Sequence, residues 1–357
     1  MKRRDSKRVF VGTVAVGGGS RISIQSMTNT DTHDVNATIF QIKRLVSSGC
    51  DIVRITVPDI DAAESFRIIR EKVPDVPLVA DIHFDYRIAL LCADYGVDKI
   101  RINPGNIGDE ERVGQVARMC LKKHIPIRIG VNGGSLEKDL LNKFGSPSPE
   151  ALFESAMRHV RLLNKFDFDD IVISVKSSSV MKAIDANRFV ASNCRYPLHI
   201  GVTEAGSRRM GIIKNATALG ALISEGIGDT VRVSLTDDPE EEVSAAFDIL
   251  RSIGCEGHSG MDIISCPTCG RTKIDLFRTV AAFEDAVQKE GLNSINIRVA
   301  LMGCIVNGPG EAREADVGIA GGVGEALLFA HGQPVRKVPE DKIIPTLIQY
   351  IKDNYLE

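Results

Sequence analysis

Residues 51–57 read DIVRITV, and the same alternation returns as KIRIN at 99–103, IPIRIGVN at 125–132 and DTVRVSL at 229–235. Successive side chains of a strand point to opposite faces. Arg54 with Thr56, Arg101 with Asn103, Arg128 with Asn132, and Arg232 with Ser234 therefore share one face of their strands. Val53, Ile55, Ile100, Ile102, Ile127, Ile129, Val231 and Val233 take the other. The apolar faces ask for a covering layer, and the charged faces ask for an enclosed polar space. A closed barrel wrapped by helices meets both demands.

Working outward, the expected strands are Ser23–Met27, Asp51–Val57, Leu78–Phe84, Lys99–Asn103, Ile125–Asn132, Asp170–Ser177, Leu198–Glu204 and Thr230–Leu235. Helical spacing fills the intervals at 36–48, 62–73, 85–95, 110–123, 148–165, 181–193, 207–225 and 238–254. The last helix follows Asp237-Asp238-Pro239; carboxylates suit the positive end of a helix, and proline suits its first turn. Eight strand–helix pairs predict a TIM (β/α)8 barrel, near the usual length of ~250 residues. The competitor is a doubly wound open sheet, which commonly carries a glycine-rich phosphate turn after its first strand. Here Thr28-Asn29-Thr30-Asp31 stands at that place. Neither GxGxxG nor GxxxxGK[ST] occurs at a strand-to-helix turn, so nucleotide binding has little support. A hairpin at 8–24 precedes the barrel. The glycines of GCEGHSGMD at 254–262 mark a boundary, giving a barrel domain at 1–254 and a second domain at 255–357.

Hydrophobic residues at 43% and charged residues at 25% are ordinary globular values for a chain of 357 residues. A net charge of −3 offers no bulk attraction for nucleic acid or a membrane surface, so any basic site must be local. The N-terminus MKRRDSKRVFVG is basic but lacks the apolar run of a secretory signal. No stretch approaches the ~20 consecutive apolar residues of a membrane span. The eight cysteines are scattered, and Cys50, Cys92, Cys120, Cys194 and Cys255 read as small buried hydrophobes. Reduced thiols and a cytoplasmic location follow better than a disulfide framework.

The arginines sit late in their strands, which puts them at the C-terminal mouth where barrel active sites form. Asp81 and His83 on the third strand, Lys176 and Ser178 at the end of the sixth, and Thr203 and Glu204 on the seventh join the same rim. So many cations facing one space repel each other unless an anion or carboxylates balance them. The planar fork of arginine suits phosphate oxygens, and the functional reading is a site for a small phosphate or diphosphate. The alternative is an internal ion-pair network with Asp81, Asp229 and Glu204. Lys176 also has a second reading, a Schiff-base lysine on a sugar-phosphate aldolase or lyase.

The second domain opens with a strand at Asp262–Ser265 that runs into Cys266-Pro267-Thr268-Cys269. A helix at 275–289, a strand at Asn296–Met302 leading to Cys304, glycine-rich turns at Asn307–Gly310 and Gly318–Gly324, a hairpin around His331-Gly332 and a helix at 340–355 complete a small α/β unit. Two cysteines three apart, joined by a third at another strand end, supply three thiolates for a soft metal or an iron–sulfur cluster. A zinc ribbon would want a second CxxC pair unless His258 or Cys255 joins. A thioredoxin-like pair leaves Cys304 unexplained. Three thiolates on a four-iron cluster leave one iron open for a weaker ligand, and Glu311 stands seven residues past Cys304.

SCPTCGRTKIDL, MGCIVNGPGEA with EADVGIAGG, and the motifs VRITVPD, ADIHFDYRIAL, KIRINPGNIG, IRIGVNGGSL, VKSSS, GVTEAG and DTVRVSLT resemble the 4-hydroxy-3-methylbut-2-enyl diphosphate synthases of the non-mevalonate isoprenoid pathway. The resemblance runs from about Val9 to the C-terminus, with no departure from the family's ligand or strand motifs. It implies a TIM barrel followed by a small α+β iron–sulfur domain resembling those of sulfite and nitrite reductases. It also implies a [4Fe–4S] cluster held by Cys266, Cys269, Cys304 and Glu311. The implied reaction is the two-electron reductive ring opening of 2-C-methyl-D-erythritol 2,4-cyclodiphosphate with loss of water. Arg54, Arg101, Arg128, Lys176 and Arg232 would hold the diphosphate, helped by Asn103, Asn132, Ser178 and Ser234. Glu204, with Asp81 and His83, is the candidate acid network. The short join at 254–262 matches the two-domain bacterial type, in which a homodimer places the cluster domain of one subunit over the barrel mouth of the other. Flavodoxin or ferredoxin is the implied electron donor.

Overall fold

The computed structural model describes residues 2–103, 106–305 and 313–356. The chain divides into two compact units, Met1–Cys255 and Glu256–Glu357.

In the first unit eight strands follow one another in parallel: β3 (Ser23–Met27), β4 (Ile52–Thr56), β5 (Leu78–Asp81), β6 (Lys99–Ile102), β7 (Ile127–Asn132), β8 (Ile171–Lys176), β9 (His199–Ile200) and β10 (Thr230–Val231). Their order around the sheet is β8-β7-β6-β5-β4-β3-β10-β9, and a parallel bridge from Ile173 to Leu198 closes the ring. The expected apolar set, Val53 through Val233, lies in one continuous core with the surrounding helices. Four successive helices, α1 (Val35–Ser47), α2 (Ile60–Lys72), α3 (Tyr86–Asp94) and α4 (Glu110–Lys123), begin on the aspartates Asp34, Asp59, Asp85 and Asp109. Each carboxylate accepts a free amide of its first turn, which pins the loop that leads from strand to helix. A short helix, α5 (Lys138–Phe144), interrupts the loop after β7 and has no counterpart in the periodicity reading. The remaining barrel helices are α6 (Pro149–Asn164), α7 (Val180–Asn193), α8 (Arg208–Ser224) and α9 (Pro239–Ser252).

The hairpin of β1 (Arg8–Val11) and β2 (Val14–Gly17) supplies Val9, Val11 and Val16 to a second cluster with Ile52, Val79 and Val172. By alternation these last three lie on the inward face two residues before Arg54, Asp81 and Ser174. The barrel is thus stoppered with valine and isoleucine at its N-terminal end and is polar above. The basic N-terminal segment has a structural use as well: Arg3 and Arg4 pair with Asp229 at 3.1 and 3.6 Å. Asp229 is therefore engaged there and does not balance the pocket arginines, which corrects one of the expected ion-pair partners.

Several strands are shorter than expected. β9 stops at Ile200 and β10 at Val231, where Leu198–Glu204 and Thr230–Leu235 were the expected spans. Glu204 turns the first into a left-handed conformation at φ +52°, and the amide of Leu235 donates to the Glu242 carboxylate at 3.1 Å, taking it out of the ladder. β5 likewise ends at Asp81, so His83 belongs to a loop.

The second unit is a five-stranded sheet in the order β11 (Asp262–Ser265), β12 (Arg298–Met302), β13 (Val317–Gly321), β14 (Glu325–Ala330) and β15 (Gln333–Pro339). The first three strands are parallel and the last two pair antiparallel. Helices α10 (Leu276–Lys289) and α11 (Ile343–Tyr355) share its larger apolar core. The glycine-rich stretch expected as a turn at 318–324 is in its first half a buried central strand. A Cβ on Gly318 would lie 2.4 Å from the Ala300 carbonyl oxygen and 2.6 Å from the Phe329 ring, so glycine is there for close packing.

Candidate active site

The inward faces of six strands and the loops that continue them converge on one pocket, lined by Arg54, Arg101, Arg128, Asn132, Lys176, Thr203, Arg232 and Ser234 with Gly130 and Ser174, and enclosing about 420 Å³ that opens to solvent. Eight of the expected side chains are brought together here. Asp81 lies buried beside them, 3.1 Å from Arg101 and 3.6 Å from Arg54. Burial pushes its carboxyl up, but Arg54 and Arg101 outweigh that and hold it below the usual range, so it stays ionised. Asp81 is therefore an anchor for two arginines. His83 stands 3.9 Å from it and is partly exposed. Asn103 is half-buried just past β6. Ser178 and Glu204 are exposed and are not among the pocket-lining residues. The left-handed backbone of Glu204 is a strained feature of the kind found at functional loops.

Arg128 lies deeper than the rim expected for it. It is 1% exposed and donates to the Gln25 side-chain oxygen at 3.2 Å. Lys99, one layer down, reaches the same oxygen at 3.4 Å. Arg232 pairs with Glu242 of α9 at 3.2 Å through both Nε and Nη2. Glu242 is buried and also accepts from Ser26 at 2.9 Å and from the Leu235 amide. Gly130 makes room for Arg101, since a Cβ there would sit 2.9 Å from its Nε. Arg54 is pushed down to about 10 by burial, with Asp81 opposing, and so keeps its charge at neutral pH.

Gln25, Ser174 and Glu242 were missed in the sequence. Gln25 and Ser174 carried a usable signal, because each lies at even spacing with an inward-facing residue of its strand, Met27 and Lys176. Glu242 carried none: three glutamates in the first turn of α9 read as dipole partners.

In the second unit β11 ends just before Cys266 and β12 two residues before Cys304, on adjacent parallel strands. The Gly303 amide donates to the Cys266 sulfur at 3.3 Å, and the Lys273 amide donates to the Gly303 carbonyl at 2.8 Å. These bonds lace the two cysteine loops together. Thr268 adopts φ +47° inside CPTC, and the Cys269 amide donates to Thr272 Oγ1 at 3.1 Å, turning Cys269 outward. Glu311 lies outside the described residues. Among the described residues no three His, Cys, Asp or Glu side chains converge on a single ion. Three free thiols at neighbouring strand ends suit a multi-iron cluster, where each thiolate takes a different iron. Cys50, Cys92 and Cys120 are buried, with thiols pushed up to about 12 by burial, which makes them inert core residues. Cys194 and Cys255 are only partly buried, short of the full burial expected.

Among solved structures the chain is similar to dihydropteroate synthase from Stenotrophomonas maltophilia, at TM-score 0.50 and 14% identity over 69% of this chain and 97% of that one. It is equally similar to type I 3-dehydroquinate dehydratase from Clostridium difficile, at TM-score 0.50 and 16% identity over 70% and 96%. At such identities the likeness concerns the fold alone. Curated relatives named 4-hydroxy-3-methylbut-2-en-1-yl diphosphate synthase (flavodoxin) are much nearer. That of Clostridium perfringens is 54% identical over 99% of both chains. That of Azotobacter vinelandii is 51% identical over 99% of this chain and 94% of its own. The GcpE TIM-barrel domain matches residues 6–247, and the GcpE protein C-terminal domain matches residues 262–353. The chain belongs to the GcpE family through both of its units.

Proposed function

We infer that this protein is a 4-hydroxy-3-methylbut-2-enyl diphosphate synthase, an oxidoreductase of isoprenoid precursor biosynthesis that opens 2-C-methyl-D-erythritol 2,4-cyclodiphosphate. The ring accepts two electrons and one proton, a ring carbon–oxygen bond breaks, a hydroxyl leaves as water, and a carbon–carbon double bond forms. The dianionic cyclic diester becomes a trianionic linear diphosphate. What most supports this reading is the pocket itself, which gathers four arginines and a lysine at the C-terminal mouth of a barrel, where barrel enzymes bind substrate.

In this reading Arg54, Arg101, Arg128, Lys176 and Arg232 bind the diphosphate oxygens, and Asn132, Ser234, Asn103 and Ser178 add neutral donors. Asp81 and Glu242 hold the arginines in place. Glu204, close in sequence to Thr203 of the pocket wall, donates the proton to the departing hydroxyl, and His83, 3.9 Å from Asp81, is its partner in the acid network. Cys266, Cys269, Cys304 and Glu311 hold a [4Fe–4S] cluster. When bound, the cluster supplies single electrons and a site for a substrate oxygen.

The electron donor is a flavodoxin, as the relatives' names state for them, or a ferredoxin. The enzyme works as a homodimer in which the cluster unit of one subunit closes the barrel mouth of the other. The open mouth, with Phe84 76% exposed beside it, and the outward Cys269 support that arrangement. No helix among the described residues is long and apolar enough to cross a membrane. The eight free cysteines support a cytoplasmic location.

The test is anaerobic purification, a count of iron, sulfide and zinc, and turnover of the cyclodiphosphate with a chemical reductant. Four irons and conversion are expected. One zinc and no conversion would overturn the reading. Mixing an Arg128→Met protein with a Cys304→Ala protein tests the shared site, since activity returns only if subunits complement each other.

A further inference from the structure

Lys176 differs from its cationic neighbours in what it can do with its charge. It leaves the end of β8 with 8% exposure, and among the described residues no carboxylate forms an ion pair with it. Around it stand Arg54 from β4, Arg128 from β7 and Arg232 just past β10. Arg101 of β6 completes the cationic wall, and Lys99 and His199 lie buried in the layer below. Two carboxylates oppose these charges: Asp81 of β5, already engaged by Arg54 and Arg101, and Glu242 of α9, engaged by Arg232. Five cationic side chains at the pocket and two carboxylates leave a surplus of three positive charges.

A guanidinium keeps its proton, whereas a buried ammonium releases one readily. The crowding is therefore relieved at the two lysines: at Lys99 beneath the pocket, which burial and then Arg128 and Arg54 hold well below the lysine range, and at Lys176 within ligand reach. Burial, and after it the guanidiniums of Arg232, Arg128 and Arg54, push Lys176 well below the ordinary lysine range. With Lys176 neutral the surplus is two, equal to the charge of a cyclic diphosphate. With Lys176 protonated it is three, equal to the charge of the linear product. A Cβ on residue 201 would lie 2.1 Å from the Arg232 carbonyl oxygen and 3.4 Å from Lys176 Nζ, so Gly201 lets the backbone on which Arg232 is carried pass close to the amine.

We propose that Lys176 is neutral in the free enzyme and against the cyclic substrate, and takes a proton from solvent when ring opening gives the diphosphate its third negative charge. The proton is additional to the one consumed in forming water, and it returns to solvent when product leaves. The assignment rests on the substrate reading above.

Calorimetry separates the two. Anaerobic holoenzyme is titrated at pH 8 with the cyclic diphosphate and with the linear product, each in two buffers of different ionisation enthalpy. The linear product should bind with uptake of about one more proton than the cyclic compound, and its affinity should fall about tenfold per pH unit at alkaline pH while that of the cyclic compound stays flat. Lys176→Arg keeps a fixed charge and should bind both ligands with no difference in uptake. Equal uptake for both ligands in the wild-type enzyme, or a difference that persists in Lys176→Arg, would overturn the proposal. Failure of both ligands to bind would remove the substrate reading, and this assignment with it.

Discussion

The barrel mouth and the cysteine end of the small sheet are built on opposite plans. At the mouth the protein supplies its own counter-charges: Asp81 grips Arg54 and Arg101, Glu242 grips Arg232, and Gln25 receives Arg128. These partners are buried, where a lost bond to a charged group costs about 1.5–3 kcal/mol, so the site is rigid before any ligand arrives. At the cysteine end the bonds are made by backbone, through the Gly303 amide, the Lys273 amide and the left-handed Thr268, and the side chains are kept partly or fully exposed. A site for anions has to be held together against its own repulsion. A site for a cluster has only to aim its sulfurs, because metal–thiolate bonds then hold the loops.

The largest effect should come from removing a sulfur. Cys269→Ala is expected to abolish turnover and the iron and visible absorption of the anaerobically purified protein, while Cys120→Ser keeps both; the far-ultraviolet circular dichroism of each should stay that of the wild type. Iron retained in full by Cys269→Ala would break the contrast. Arg128→Met should leave iron content intact and raise KM for the cyclodiphosphate ~100-fold, the size expected for a lost charge-assisted contact. Glu242→Gln should raise KM about tenfold with little change in kcat, since it loosens Arg232 without removing it. If Glu242 only neutralised charge, KM would instead fall, and steady-state kinetics decide between the two. Gly318→Ala should destabilise the small unit by about 2 kcal/mol through overpacking, read from its denaturant midpoint.

The smallest effect belongs to His33, which joins the loops after β3 and β4 by bonds to Asp31 at 2.7 Å and Asp59 at 3.0 Å. Those bonds to Asp31 and Asp59 raise its imidazolium above the usual 6.5. A raised value stabilises the fold fully below 6.5 and the gain fades as pH climbs through the raised value. His33→Gln should flatten the pH dependence of the urea midpoint over that interval, and an unchanged slope would remove the loop bridge.

Much of this was legible because strand periodicity is local. Arg54, Arg101 and Arg232 could be placed on an inward face from the residues two apart from them, and all three line the pocket. CPTC ahead of a distant Cys304 likewise declared a thiolate set. Depth was not legible. Arg128 looks like its fellows in sequence and stands in register with Arg101, yet it is the fully buried one, since depth depends on what packs around a side chain once the ring has closed. Nor could the sequence show that Glu204 would leave its strand, because that turn depends on how β9 meets its neighbours.

The sequence by itself determined the alternation of strands and helices, the inward cations and the cysteine spacing, all of which depend on residues a few positions apart. Only the tertiary structure decided which carboxylate serves which cation: Asp81 rather than Asp229 for Arg54 and Arg101, and Glu242 for Arg232. Among the described residues no carboxylate pairs with Lys176, which is buried. Closing the ring brings together side chains that lie far apart in the chain, and pairing between them is a property of that closure.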